Sequence, residues 1–398
     1  MASIRSWLSA VICLLPSASL AATLLASHYS GTIYTLDLEV TNGNGTLKVK
    51  STGKAGVTQP AWITFDSEDR ILYVNDENWR GRPGGMSALS VKEDGSVTLA
   101  ASAQTSGGQV HSTLYGGSNG RGFIATTEYD LSTLTTYQLP LTASTQPVEK
   151  LKFTMSGRGP NAMRQDRPHP HSVWTDPTGK FLLSADLGAD LVRIYRIDAT
   201  TGKLTECPAA QTGPGDGPRH GAWWAPKAGS TEGLMLYVVN ELANSVTVWQ
   251  TAYPSGDGGC LSLKKTQSAP TYPAGKTAPQ GSKAAEVRVA GNFVYASNRN
   301  DRTYGAKEDS MATYSIDAAS GAIKFLEQTS AHGWFPRTFV INKAGDMVAI
   351  GGQTSANVAV VARDVQSGKL GELIATIPLG SPGTVNNEDG LSAVIWDE

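Results

Sequence analysis

Seven short apolar strands, each opened by a small or polar residue, recur along the chain at a spacing near fifty residues. They read Pro60-AWITFD, Val110-HSTLYG, Pro170-HSVWTD, Pro218-RHGAWWAP, Ala284-AEVRVA, Pro336-RTFVIN and Leu391-SAVIWDE, separated by 50, 60, 48, 66, 52 and 55 residues. A second strand follows each of the first six: ILYVND, FIATTE, FLLSAD, LYVVNE, FVYASN and MVAIGG. A third commonly follows that, and turns such as TTGKL and ASGAI lead to an outer strand. These runs are rich in Val, Ile, Tyr, Trp and Thr and are bounded by turn residues, which is strand chemistry. No long 3.6-residue stripe stands out, so almost no helix is expected. A period near 50 fits the blade of a β-propeller; the alternative is two unrelated β-sandwiches.

The seventh opening has no second strand after it, whereas residues 24–49 supply second, third and outer strands with no opening strand. The two fragments complete one blade. The predicted fold is therefore all-β, a seven-bladed propeller closed by a blade shared between the N- and C-terminal strands, which removes exposed sheet edges. Length alone, 398 residues, suggests two or three domains. The repeat assigns it to a single domain over 22–398, and the 43 glycines become mostly turns between strands.

Residues 1–21 read as a secretory leader: Arg5 in the n-region, an apolar core from Trp7 to Leu15, and the small residues Ser19 and Ala21 before a mature start at Ala22. No segment approaches eighteen uninterrupted apolar residues, so no membrane partner is expected, and the chain is expected to be secreted and extracellular. Cys13 leaves with the leader, so Cys207 and Cys260 remain as a candidate disulfide in an oxidising compartment. Asn44, in Asn44-Gly45-Thr46, is the one glycosylation sequon. A formal net charge of −2 offers no basic field for nucleic acid.

In a propeller the polar residues at inner-strand starts and second-strand ends converge on one axis. The first set is His111, His171, Arg219, His220, Glu286, Arg288 and Arg337. The second is His28, Asp76, Glu77, Glu128, Asp186, Glu241, Arg299 and Gln353. Buried charge persists only when paired or used, and the bland reading makes many of these blade-to-blade ion pairs and caps. Among them His171 has the only side-chain type that titrates near working pH, and Arg219 sits beside Pro218 as a stiffly held planar fork. Glu241 and Arg299 end adjacent second strands, placed either to pair with each other or to frame a substrate.

The strings RPHPHSVWTDPTGKFLLSADLGADLVRIYRID, GPRHGAWW with LYVVNELANSVTVW, and AEVRVAGNFVYASNRN resemble the seven-bladed propeller lactonase family. That family includes 6-phosphogluconolactonases and the fungal carboxy-cis,cis-muconate lactonizing enzymes of cycloisomerase type. The resemblance covers roughly residues 55–395 and implies that the family's catalytic His, Arg, Glu and Arg fall on His171, Arg219, Glu241 and Arg299. It implies metal-independent chemistry on a small lactone or carboxylate, with no cofactor. His171 would be the general acid/base, Glu241 would orient it or share the proton work, and the two arginines would hold a substrate carboxylate and the developing oxyanion. His111, Asp186, Trp334, Arg337 and Gln353 are further candidates for substrate contact.

Export sets aside phosphogluconolactone and carboxymuconate, the intracellular metabolites of those relatives, as natural substrates. Three rivals stay open: a lyase acting on uronates, with a glycan as substrate; a ligand-binding propeller without catalysis; and a metal-dependent sugar lactonase using Glu128, Asp186 or Glu241. A monomer is expected.

Overall fold

A computed structural model describes residues 19–79, 83–256 and 258–398; the n-region and apolar core of the expected leader, with Cys13, lie outside the described residues. Twenty-eight strands, β1 to β28 in chain order, form seven four-stranded antiparallel sheets. The described residues contain no helix, hence none long and apolar enough to cross a membrane. The inner strands are β4 (Pro60–Asp66), β8 (Gln109–Tyr115), β12 (Pro170–Thr175), β16 (Pro218–Trp224), β20 (Lys283–Ala290), β24 (Pro336–Ile341) and β28 (Leu391–Trp396). Each touches the next, and β28 touches β4, so they close a ring. This is the seven-bladed propeller that the repeat predicts.

Closure works as the two fragments require. β28 pairs with β1 (Ser19–His28), which continues into β2 (Thr32–Thr41) and β3 (Asn44–Lys54). The β1–β28 ladder runs from Leu24↔Trp396 to His28↔Leu391, so a chain starting at Ala22 keeps every residue of it. Asn44 lies exposed at the start of β3.

Most strands are apolar on both faces, and each blade buries both against neighbours. Seven apolar clusters each bridge two adjacent blades. Tyr237, Val246 and Val248 meet Ala284, Val294 and Tyr314 across one interface, and Leu24 and Leu36 meet Met347, Val358 and Val360 beside the closing strand. A polar latch recurs within three of these clusters. The hydroxyls of Tyr115, Tyr237 and Tyr295 donate to the carbonyls of Gly202, Gly321 and Gly368 in the next blade's outer turn. Those glycines sit at φ of 70–71°, and a Cβ there would lie 2.2–2.5 Å from Phe123, Met235 or Phe293. Cys207 and Cys260, with Cα atoms 5.6 Å apart, are joined in a disulfide that ties β15 (Leu204–Gln211) to the neighbouring blade.

Leu391, 1 % exposed in the cluster beside β1, tests closure. Leu391→Ala is expected to cost about 2–5 kcal/mol, as buried leucine truncations do, seen as a lower urea midpoint.

Candidate active site

Every inner strand that starts a complete blade carries a β-bulge near its start; five skip their second residue, and β20 shifts register between Ala284 and Val287. The register jumps from Pro170↔Asp186 to Ser172↔Ala185 and skips His171. It skips Arg219 between Pro218 and His220, Arg337 between Pro336 and Thr338 and Val110 between Gln109 and His111. A bulge bends the strand and re-aims the extra side chain. All four of these residues line one cavity of about 300 Å³ at the ring's mouth.

Glu241 anchors one side of it. The side chain is 1 % exposed, and its carboxylate lies 2.7 Å from Arg164 Nη1, 2.7 Å from Arg299 Nη2 and 3.2 Å from Arg219 Nε. Burial opposes ionisation of Glu241, but Arg164, Arg299, Lys283 and Arg219 outweigh it and hold the carboxyl well below the usual carboxylate range. Arg219, 1 % exposed, also donates to the Ala285 carbonyl at 2.6 Å. Burial, with repulsion from Arg299, brings its guanidinium down to about 9, still charged at neutral pH. Arg299 lies under the ring of Phe335, 5.0 Å from its centroid. Phe335 itself adopts φ 63°, a costly conformation for a bulky residue.

His171 stands beside this cluster. Its Nδ1 is buried and lacks a hydrogen-bond partner, and no hydrogen bond joins it to Glu241 among the described residues. Burial, then Arg219 and His220, push its pKa well below the ordinary imidazole value, so the ring is neutral and able to accept a proton. Beneath it His220 lies 5.3 Å away, ring to ring, and His111 a further 4.9 Å, with Trp62 4.2 Å from His111. Burial drives both lower imidazoles below their ordinary value as well.

The structure brings together His171, Arg219, Glu241, Arg299, Arg337 and Gln353 in the cavity lining. It does not bring in three other candidates. His111 sits one layer deeper because the β8 bulge falls on Val110. Asp186 is fully buried and accepts from His169 N at 2.7 Å and Arg193 Nη2 at 2.8 Å, so it fastens a turn. Trp334 lies outside, under Arg302, and the next residue, Phe335, reaches the cavity instead.

Tyr29, Tyr129, Arg164, Lys283 and Glu388 also line the cavity and are missed by a reading confined to strand starts and ends. Arg164 comes from the long loop before β12 and also donates to Tyr129 Oη at 3.0 Å. Lys283 is the first residue of β20, one place before the opening read from sequence. Its only signal was that offset. Five cations face three carboxyls in the lining, Glu77, Glu241 and Glu388, so the cavity favours an anionic ligand. No group of three or more His, Cys, Asp or Glu is placed to hold a metal among the described residues.

The family model for "Lactonase, 7-bladed beta-propeller" matches residues 20–387. The chain is 30 % identical over 326 residues to a "Probable 6-phosphogluconolactonase" of Arthroderma benhamiae, covering 82 % of this chain and 79 % of that one. It is 27 % identical over 352 residues to a 6-phosphogluconolactonase of Bacillus subtilis, covering 88 % and 92 %. Among solved structures, the periplasmic gluconolactonase PpgL of Pseudomonas aeruginosa is similar with a TM-score of 0.76 and 26 % identity, covering 95 % and 99 %.

The three buried imidazoles carry a pH prediction. Each stays neutral in the folded chain, whereas its unfolded counterpart takes up a proton below about pH 6.5, so acid favours unfolding. Each ring is expected to lower stability by roughly 1.4 kcal/mol per pH unit below 6.5, offset in part by Glu77, whose carboxyl burial raises to about 7 so that it holds a proton folded that it loses unfolded. Urea midpoints between pH 5 and 7 check it, and His111→Gln should reduce the acid-side slope by one ring's share, roughly 1.4 kcal/mol per pH unit.

Proposed function

This chain belongs to the lactonase family of seven-bladed β-propellers, and on that premise we propose that it hydrolyses the ring ester of a small anionic sugar-acid lactone. The observation that carries the proposal is the neutral His171 beside guanidinium groups fixed on one ionised carboxylate. Hydrolysis needs a base for water and stabilisation of the charge that develops on the carbonyl oxygen. His171 takes a proton from water as the water oxygen bonds to the carbonyl carbon. Arg219 and Arg299 face the developing oxyanion, where preorganised positive charge counts most. A carboxylate or phosphate on the substrate would engage Arg164 and Lys283, two of the three remaining cations of the lining. Glu241 is held ionised by its arginines and is a positioning residue in this scheme, which departs from the expectation that it shares the proton work.

A cavity of about 300 Å³ is at the small end of ligand sites and suits a monomeric lactone better than a glycan. The names of the relatives support hydrolysis over cyclisation or elimination. We further propose that residues 1–21 are a leader and that 22–398 is the exported domain. The Cys207–Cys260 bond fits an oxidising compartment, and the similar Pseudomonas protein is named as periplasmic.

A panel of aldono-, urono- and aromatic-acid lactones, with acid release and ultraviolet absorbance followed together, tests this. Wild type is expected to release acid without forming an absorbing unsaturated product, and His171→Asn to lose about 10²–10⁴-fold in kcat. Undiminished turnover in that variant refutes the assignment, and an absorbing product would make the enzyme a lyase.

A further inference from the structure

Glu77 lies across the cavity from the Glu241 cluster, on the blade that begins with β4, and the reaction scheme so far leaves it unused. The chain leaves β5 (Ile71–Asp76) with two successive acids that go different ways. Asp76 folds back to accept from the Gln59 amide at 2.8 Å. Glu77 donates its own amide to the Gln59 carbonyl at 2.9 Å and turns its side chain into the cavity, where it is 5 % exposed. Its carboxyl is hydrogen-bonded by Tyr29 Oη. Tyr29 follows β1 on the shared blade. The nearest cation is Arg337 Nη2 at 3.9 Å, and this guanidinium is already committed through Nη1 to the carbonyls of Ala61 at 2.7 Å and Ser392 at 3.0 Å. The two buried acids of one cavity are therefore treated oppositely: Glu241 has three close guanidinium partners, and Glu77 has a phenol and one distant, divided guanidinium.

Resting on the hydrolase reading above, we propose that Glu77 is the general acid that protonates the leaving ring oxygen, with Tyr29 and Arg337 as its positioning residues. The step balances. As the ring C–O bond breaks, its electron pair goes to the ring oxygen and the Glu77 proton follows. The new carboxylic acid ionises to solvent, and the proton taken by His171 restores Glu77 through solvent. Acid and base stand on different blades of one cavity lining, Glu77 after β5 and His171 in β12. Burial raises the Glu77 carboxyl to about 7, against the lowering influence of Arg337, Tyr29 and Arg219 and with a raising one from Glu388. Paired titratable groups pushed apart by their surroundings are the pattern of divided acid and base roles.

The test compares an alkyl lactone such as an aldonolactone, whose alkoxide needs a proton to leave, with the aryl lactone dihydrocoumarin, whose phenoxide does not. Glu77→Gln is expected to lose about 10²–10⁴-fold in kcat/KM on the alkyl lactone, and less than about tenfold on the aryl one. It should also lose the wild-type alkaline limb near pH 7, because the acid works only while protonated. Tyr29→Phe removes a hydrogen bond that favours the ionised carboxyl, so that limb should move to higher pH. Equal losses on both substrates, or an alkaline limb unmoved in Tyr29→Phe, overturn the assignment while leaving hydrolysis standing. Wild type that opens neither lactone overturns the hydrolase reading itself, and this inference with it. If Glu77→Gln does not fold, or the aryl lactone is not opened, the limb in Tyr29→Phe decides alone.

Discussion

A four-stranded sheet with apolar side chains on both faces has two surfaces to bury, and a neighbour on each side is the only covering this chain provides. The seven clusters that bridge adjacent blades follow from that demand. So does the ring, since a row of such blades leaves an uncovered face at either end until the last meets the first. Tyrosine hydroxyls reaching the next blade's turn add direction to packing that is otherwise non-directional. Every inner strand is then held at a fixed place around the axis, and a mouth built from residues hundreds of positions apart can be rigid.

That rigidity is what a buried charge cluster needs. Taking Glu241 out of water costs several kcal/mol unless strong partners replace the solvent, and three guanidinium groups do so from different directions. Each arginine is also held elsewhere, Arg219 by a backbone carbonyl, Arg164 by Tyr129 and Arg299 by the ring of Phe335. The cations are thus fixed before any ligand arrives, so little reorganisation is left for the reaction to supply.

Much of the architecture was legible in the sequence because strand period and turn chemistry are local signals. The openings at Pro60, Pro170, Pro218, Pro336 and Leu391 coincide with inner strands to the residue, and those at Val110 and Ala284 fall one residue late. The site was legible only in part, because its geometry depends on a shift of one residue. Sequence cannot show that the bulge in β8 falls on Val110 and the one in β12 on His171, and this offset separates His111 from the cavity. It cannot show either that Asp76 caps a turn while Glu77 faces the ligand space. Arg164 was invisible for another reason: it sits in a loop, where no period marks it.

The seam between β1 and β28 has a kinetic consequence. Ser27 and Ser392 hydrogen-bond across 365 positions, and contacts of such separation form slowly because the intervening chain must be ordered first. Glu77 and Arg337 stand on the two blades that flank the seam, whereas Glu241 and its arginines belong to blades on the far side of the ring. An arc of blades still open at the seam would hold the Glu241 cluster yet leave Glu77 without Arg337, whose blade lies on the other side of the seam. Refolding followed by circular dichroism should therefore run ahead of refolding followed by turnover, the gap between them being the time the ring takes to close.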